Sequence, residues 1–110
     1  MIDQIICGDC LEVMKEKQDG SIDLILTDPP YGIGYHSNHY VGKNPFAPVS
    51  GDWNFQIGTF LAECKRVLKD RGAIYVFCRW DVMPKWLPYF EASGLKTKTV
   101  IVWLKDNWSA

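Results

Sequence analysis

The sequence has almost no surplus of charge of either sign: 12 Lys and Arg stand against 13 Asp and Glu, for a net charge of −1. A free-standing nucleic-acid binder normally carries a basic excess, so the chain alone is expected to hold a phosphate backbone weakly. No apolar run approaches the roughly 20 residues that a membrane helix needs. The opening Met1-Ile2-Asp3-Gln4 lacks the basic and apolar regions of a secretory signal, and a cytoplasmic location is expected. Cysteine is sparse. Cys7 and Cys10 make one C-x-x-C, but no second C-x-x-C or C-x-x-H completes a tetrahedral zinc site. With Cys64 and Cys78 they read as buried free thiols, and no metal is expected. His36 and His39 have no Asp, Glu or Cys at ligand spacing and read as loop polar residues. Gly32-Ile33-Gly34 follows no strand directly and lacks the third glycine of a phosphate cradle, so loop flexibility is its simpler account.

What is present is an alternation of strand and helix patterns in 110 residues, 47% of them hydrophobic, which allows one domain at most. Residues 2–7 read as a short strand. Asp9 follows as a helix N-cap, with Glu12 three residues on in capping-box position; Leu11 and Met14 form the inner face, and Gly20 lies past the helix end. Residues 22–27 read as a buried strand. Residues 32–54 have no periodicity and are rich in Gly, Asn, Pro, His and Tyr, as in a loop that is functional or mobile. Ile57, Phe60, Leu61, Cys64, Val67 and Leu68 keep helical spacing, with residues 69–71 as the helix end and Gly72 as its cap. Lys65, Arg66, Lys69 and Arg71 then read as a basic cluster complementing the helix dipole. Residues 73–78 form an apolar strand suited to a sheet covered on both faces. Asp81 caps a third helix bearing Val82, Trp86, Leu87 and Phe90, short or bent because of Pro88 and ended by Gly94. Residues 97–104 form a last strand, with Trp103 in the core.

This order predicts an α/β, Rossmann-like, partial doubly wound fold: about four strands, mostly parallel, with three crossover helices. So small a sheet leaves edges that are exposed or covered in a homodimer. Ligands of such sheets sit beyond the carboxyl ends of the strands. Asp9, Asp28 and Arg79 each follow a predicted strand and so share that edge.

The most specific element is Asp28-Pro29-Pro30-Tyr31, directly after the strand at 22–27. Each proline fixes its own φ and has no N–H, and a residue preceding a proline is held extended. The carbonyls of Asp28 and Pro29 therefore face outward without competing donors, beside an acceptor carboxylate and the ring of Tyr31. That set suits an amino group conjugated with a base ring. Two acceptors bonded to its hydrogens turn the nitrogen lone pair towards an incoming methyl group, while an aromatic face stacks on the extruded base. On the same edge, Trp53 and Trp80 are candidates to line a pocket, and Lys43 is a candidate contact for a DNA phosphate.

Residues 6–11 (Ile-Cys-Gly-Asp-Cys-Leu), a short helix pattern, and then residues 22–32 through Asp28-Pro29-Pro30-Tyr31-Gly32 resemble the amino-terminal part of a bacterial DNA amino-methyltransferase. The likeness is to the permuted, beta-type subgroup, which methylates adenine N6 or cytosine N4 and is found in restriction-modification. It implies that residues 1–110 are the amino-terminal catalytic part of the domain, without the target-recognition region and the glycine-rich donor loop. It also implies S-adenosylmethionine as cofactor, double-stranded DNA as partner, and adenine as target, since Asp occupies the first tetrapeptide position. Asp28, Pro29, Pro30 and Tyr31 become the catalytic group, Asp9, Cys10 and Asp28 the cofactor-binding residues, and Tyr31, Lys43 and Trp53 the nucleic-acid-binding ones. Cytosine N4, an RNA adenine or a protein glutamine amide are alternative amines, the last two usually going with Asn at the first position. A non-catalytic remnant or nucleic-acid-binding fragment is the alternative of another class.

Overall fold

The computed structural model describes residues 3–31 and 55–106. Among the described residues three helices and two strands run in the order α1 (Cys10–Lys15), β1 (Ile22–Thr27), α2 (Ile57–Val67), β2 (Leu68–Val76) and α3 (Met83–Ser93). β1 and β2 pair in parallel, so the fold is α/β with a parallel sheet. Parallel neighbours cannot be joined by a hairpin and need a crossover; α2 provides it.

The apolar stripe of α2 forms the core. Leu61 and Cys64 are fully buried, and Ile57, Phe60 and Val67 nearly so. Val82 and Trp86 close it from the α3 side, with Leu11 and Met14 of α1, Ile25, Ile74 and Val76 of the strands and Cys78 just past β2 packed around it. Burial of this kind contributes about 1.5–3 kcal/mol per large side chain. It also pushes the Cys64 thiol up to about 12, with the neighbouring Cys10 and Glu63 adding to the effect.

Several expectations change. Only two strands form among the described residues. Residues 3–8 and 95–105 carry no strand, because a strand is stabilised by a paired neighbour and theirs is lacking: Ile5, Val100, Ile101, Val102 and Leu104 are all exposed. Trp103 is not core; it is 73% exposed, with its ring tilted against Phe77 at 5.9 Å. The sheet is covered on one face. Leu24, Leu26, Tyr75 and Phe77 are exposed, in alternation with inward Ile25, Ile74, Val76 and Cys78. Residues 69–72 do not end a helix. They belong to β2 and bulge, since Ile22 pairs with Leu68 and Leu24 already with Ala73. Gly72 is needed for close approach: a Cβ there would stand 3.0 Å from the Lys69 carbonyl oxygen and 3.1 Å from that of Asp23. Asp81 does not cap α3, whose N-cap is Val82 without a side-chain bond. Pro88 does not shorten α3 either; the helix runs eleven residues to Gly94, which ends it at φ 88°. No helix among the described residues is long and apolar enough to cross a membrane.

Arg66 does more than complement a dipole. Its guanidinium donates to the Met14 carbonyl at 2.8 Å and the Lys17 carbonyl at 2.9 Å, and pairs with Asp19 at 2.7 Å and Glu63 at 2.5 Å. Its own carbonyl accepts from Gly20 N–H. One residue of α2 thus ties down the end of α1 and the turn into β1. Arg66→Ala is expected to lower the urea midpoint of unfolding, because it removes several hydrogen bonds made by one charged group. Arg66→Lys should recover only part of this, because an ammonium lacks the planar fork.

Candidate functional site

Because β1 and β2 are parallel, both leave the sheet at one edge. The Phe77 N–H donates to the Thr27 carbonyl at 2.9 Å as the last rung, and beyond it stand Asp28 on one side and Cys78 and Arg79 on the other. In the Asp-Pro-Pro-Tyr turn Pro29 is buried, Pro30 and Tyr31 are half-buried, and Asp28 is exposed. The turn is closed by its own side chains: the Tyr31 hydroxyl donates to Oδ1 of Asp28 at 2.9 Å. Among the described residues no other donor takes the Asp28 carboxylate. Tyr31 reaches back to the core, its ring 5.8 Å from that of Trp86 in an edge-to-face contact at 61°.

The electrostatics follow this placement. Burial, then the hydrogen bond and the charge of Asp28, push the Tyr31 hydroxyl up to about 12; Cys78 adds to this and Arg79 opposes it. Burial also raises the Cys78 thiol. Arg79 holds Asp81 in a two-point ion pair, Nε to Oδ1 at 2.9 Å and Nη2 to Oδ2 at 2.5 Å. Its hydrogen bond keeps the Asp81 carboxyl below the usual range. The site therefore combines a solvent-facing carboxylate, a phenol that stays protonated at neutral pH, and a fixed cation. Among the described residues no group of three or more His, Cys, Asp or Glu side chains is gathered as a metal ion would require.

Asp9 is the N-cap of α1, as its position in the sequence suggests, and accepts the Leu11 N–H at 2.9 Å. Glu12 does not complete a capping box; it pairs with Lys15 at 2.9 Å. Cys10 begins α1 and is exposed, as is Cys7, so these two are not buried thiols; all four described cysteines are free. Cys10 and Cys64 line an apolar groove between α1, β1 and α2. Trp80 is exposed beside Arg79. Lys43, Trp53, both histidines and the 32–54 loop lie outside the described residues. Trp86 reads in the sequence only as an inward helix residue. The i, i+4 spacing of Val82 and Trp86 shows that it points to the core, yet nothing local shows that Tyr31 meets it there.

The sequence profile of the family described as DNA methylase matches residues 22–110, a span that includes the tetrapeptide and every element after α1. Over 80 residues the chain is 36% identical to the type II methyltransferase M.HpaI of Haemophilus parainfluenzae, covering 70% of this chain and 23% of that protein. It is 34% identical over 106 residues to the DNA adenine methyltransferase YhdJ of Escherichia coli K12, covering 94% and 33%. It is 35% identical over 85 residues to the type II methyltransferase M.BamHI of Bacillus amyloliquefaciens, covering 76% and 18%. The chain belongs to the DNA methylase family, and it spans a third or less of the length of these relatives.

Removing the cap of α1 tests the local role of Asp9. Asp9→Ala should destabilise the chain by about 1 kcal/mol, the usual cost of losing a side-chain N-cap. Hydrogen exchange at the Leu11 amide should accelerate more than exchange within α2.

Proposed function

We propose that this DNA methylase chain carries the base-accepting part of a DNA amino-methyltransferase that methylates N6 of an adenine flipped out of duplex DNA. The observation that carries the reading is the exposed Asp28 at the end of a parallel strand, with Oδ1 of its carboxylate engaged by Tyr31. A second support is the family itself, and a third is the relative whose name specifies DNA adenine. Asp rather than Ser at the first tetrapeptide position also favours adenine over cytosine.

In this reading Oδ2 of Asp28 accepts one hydrogen of the amino group and the carbonyl of Pro29 accepts the other. The nitrogen lone pair, withdrawn from the ring, then points out of the base plane. Tyr31 offers a ring face for stacking, which holds a flipped base against its cost of a few kcal/mol. As the new N–C bond forms, positive charge grows on the nitrogen, and the two acceptors already face it. Alignment of the reacting atoms supplies the remainder, with no covalent bond to the protein.

S-adenosylmethionine, the donor general to such methyltransferases, would supply an electrophilic methyl group on a cationic sulfur. The residues present fit one side of it. Asp9 is exposed and keeps one carboxylate oxygen beyond that bound to Leu11, and the backbone at Cys10 and Asp28 would lie near it. A strand, a G-x-G turn and a helix in that order would be needed for its amino-acid end, and no segment of this sequence combines them. Residues 3–7 and 97–104, apolar and unpaired here, suit strands of the four-stranded sheet once neighbours stand beside them. Lys43 and Trp53 remain candidate DNA contacts.

Two outcomes are expected. In the complete enzyme, Asp28→Ala should cut transfer of labelled methyl groups to DNA by about 10²–10³, as loss of one preorganised hydrogen-bonding group does, with the circular dichroism spectrum unchanged; near-normal transfer would rule out the assignment. Calorimetry of the 110-residue chain with S-adenosylmethionine should find a Kd weaker than about 10 μM, or about −6.8 kcal/mol. Tighter binding would mean that the donor site is already whole.

A further inference from the structure

We infer that Trp86 is a positioning residue for the tetrapeptide: it holds the Tyr31 ring edge-on, so that the Tyr31 hydroxyl caps Oδ1 of Asp28 and leaves Oδ2 as the acceptor for the substrate amine. The identity of that amine rests on the methyltransferase reading above; the linkage from Trp86 through Tyr31 to Asp28 rests on geometry.

Trp86 is 6% exposed and sits among Ile57, Phe60, Leu61, Cys64 and Val82. Pro84 and Pro88 flank it in α3, and each removes backbone freedom on its side. It is therefore a fixed wall. Tyr31 of the tetrapeptide packs on this core cluster. Edge-to-face contact is favoured by the ring quadrupoles, which makes an indole selective for ring orientation as well as for apolar bulk. An oriented ring sets the direction of its hydroxyl, here to Oδ1 of Asp28 at 2.9 Å. Without that constraint χ1 and χ2 of Tyr31 carry the hydroxyl to water, and the carboxylate is free to turn about its own χ2.

Ionisation of the Tyr31 phenol reports this linkage, because Asp28, Cys78 and Arg79 act on it besides burial. The chain is labelled at tyrosine 13Cζ, and the Tyr31 resonance is identified by its loss in Tyr31→Phe. A phenol titrating at about 12 is about one-tenth ionised at pH 11. In the wild type a nuclear Overhauser contact joins the Tyr31 and Trp86 rings, and Asp28→Asn raises the ionised fraction at pH 11 several-fold. In Trp86→Leu that fraction is already raised, and adding Asp28→Asn changes it little, since the bond is lost beforehand. Trp86→Phe, which keeps an aromatic edge, retains the Asp28 increment. A purely space-filling Trp86 would instead give additive effects. Additivity of Trp86→Leu and Asp28→Asn, or loss of the increment in Trp86→Phe, overturns the inference. So does absence of the ring–ring contact in the wild type, a test that does not depend on any variant folding. No measurement here involves methyl transfer. An indifferent Tyr31 signal would leave the methyltransferase reading standing, and methyl transfer by Asp28→Ala would leave the linkage measured in the wild type untouched.

Discussion

The parallel pairing of β1 with β2 is the constraint from which the rest of the site follows. Residues that lie more than 40 positions apart in sequence meet in one ladder, and in a parallel ladder both chains point the same way. Asp28 and Arg79 are thereby delivered to one edge without any contact between them having to be specified. The ladder itself persists because α2 lies across it. The stripe from Ile57 to Val67 buries one sheet face, and Arg66, at the end of that helix, locks the turn that feeds β1. The edge is thus several steps removed from the interactions that stabilise it, and residues such as Arg66 matter to its arrangement without being near it.

What the sequence revealed and what it hid divide along the reach of the interactions. β1 was legible to the residue because its ends are local: Gly20 before it and a double proline after it. α2 was legible because its stripe is strictly periodic. Asp28-Pro29-Pro30-Tyr31 was legible as a turn closing β1 because it consists of four adjacent residues, two of them prolines. The early start of β2 was obscured by Lys69-Asp70-Arg71-Gly72, whose charge and glycine imitate a helix end while they actually form a bulge against Asp23. Asp81 looked like a cap and is instead taken by Arg79, a competition between two local partners that composition does not rank. The 97–104 segment has the residues of a strand, but strand formation depends on a neighbour, and side-chain pattern carries no information on whether one is present. The contact of Tyr31 with Trp86 spans 55 positions and depends on how α3 settles on α2, so it was out of reach.

Electrostatically the site separates roles by environment. Asp28 is left to solvent, with its carboxylate available as an acceptor. Tyr31, three residues on, is partly withdrawn from water and faces that anion, so its proton is held far above neutral pH. Tyr31 therefore remains a donor throughout the physiological range. Arg79 is committed to Asp81 in the same way. A near-neutral chain can in this manner maintain fixed local fields at one edge while offering little long-range attraction to a polyanion.

The bulge at residues 69–72 has a further meaning. Side chains on a strand alternate between faces, so the number of residues in the bulge sets the phase of everything after it. With the present count, Ile74, Val76 and Cys78 turn towards the helices, and Tyr75 and Phe77 turn away. Removing or adding a single residue there would act as a frameshift in space. The sequence downstream would be unchanged, but each of its side chains would exchange faces, and the bulky aromatics would be driven into the layer that now holds the floor beneath Tyr31. Length in this segment is therefore under tighter constraint than identity, with Gly72 as the exception that is held to both.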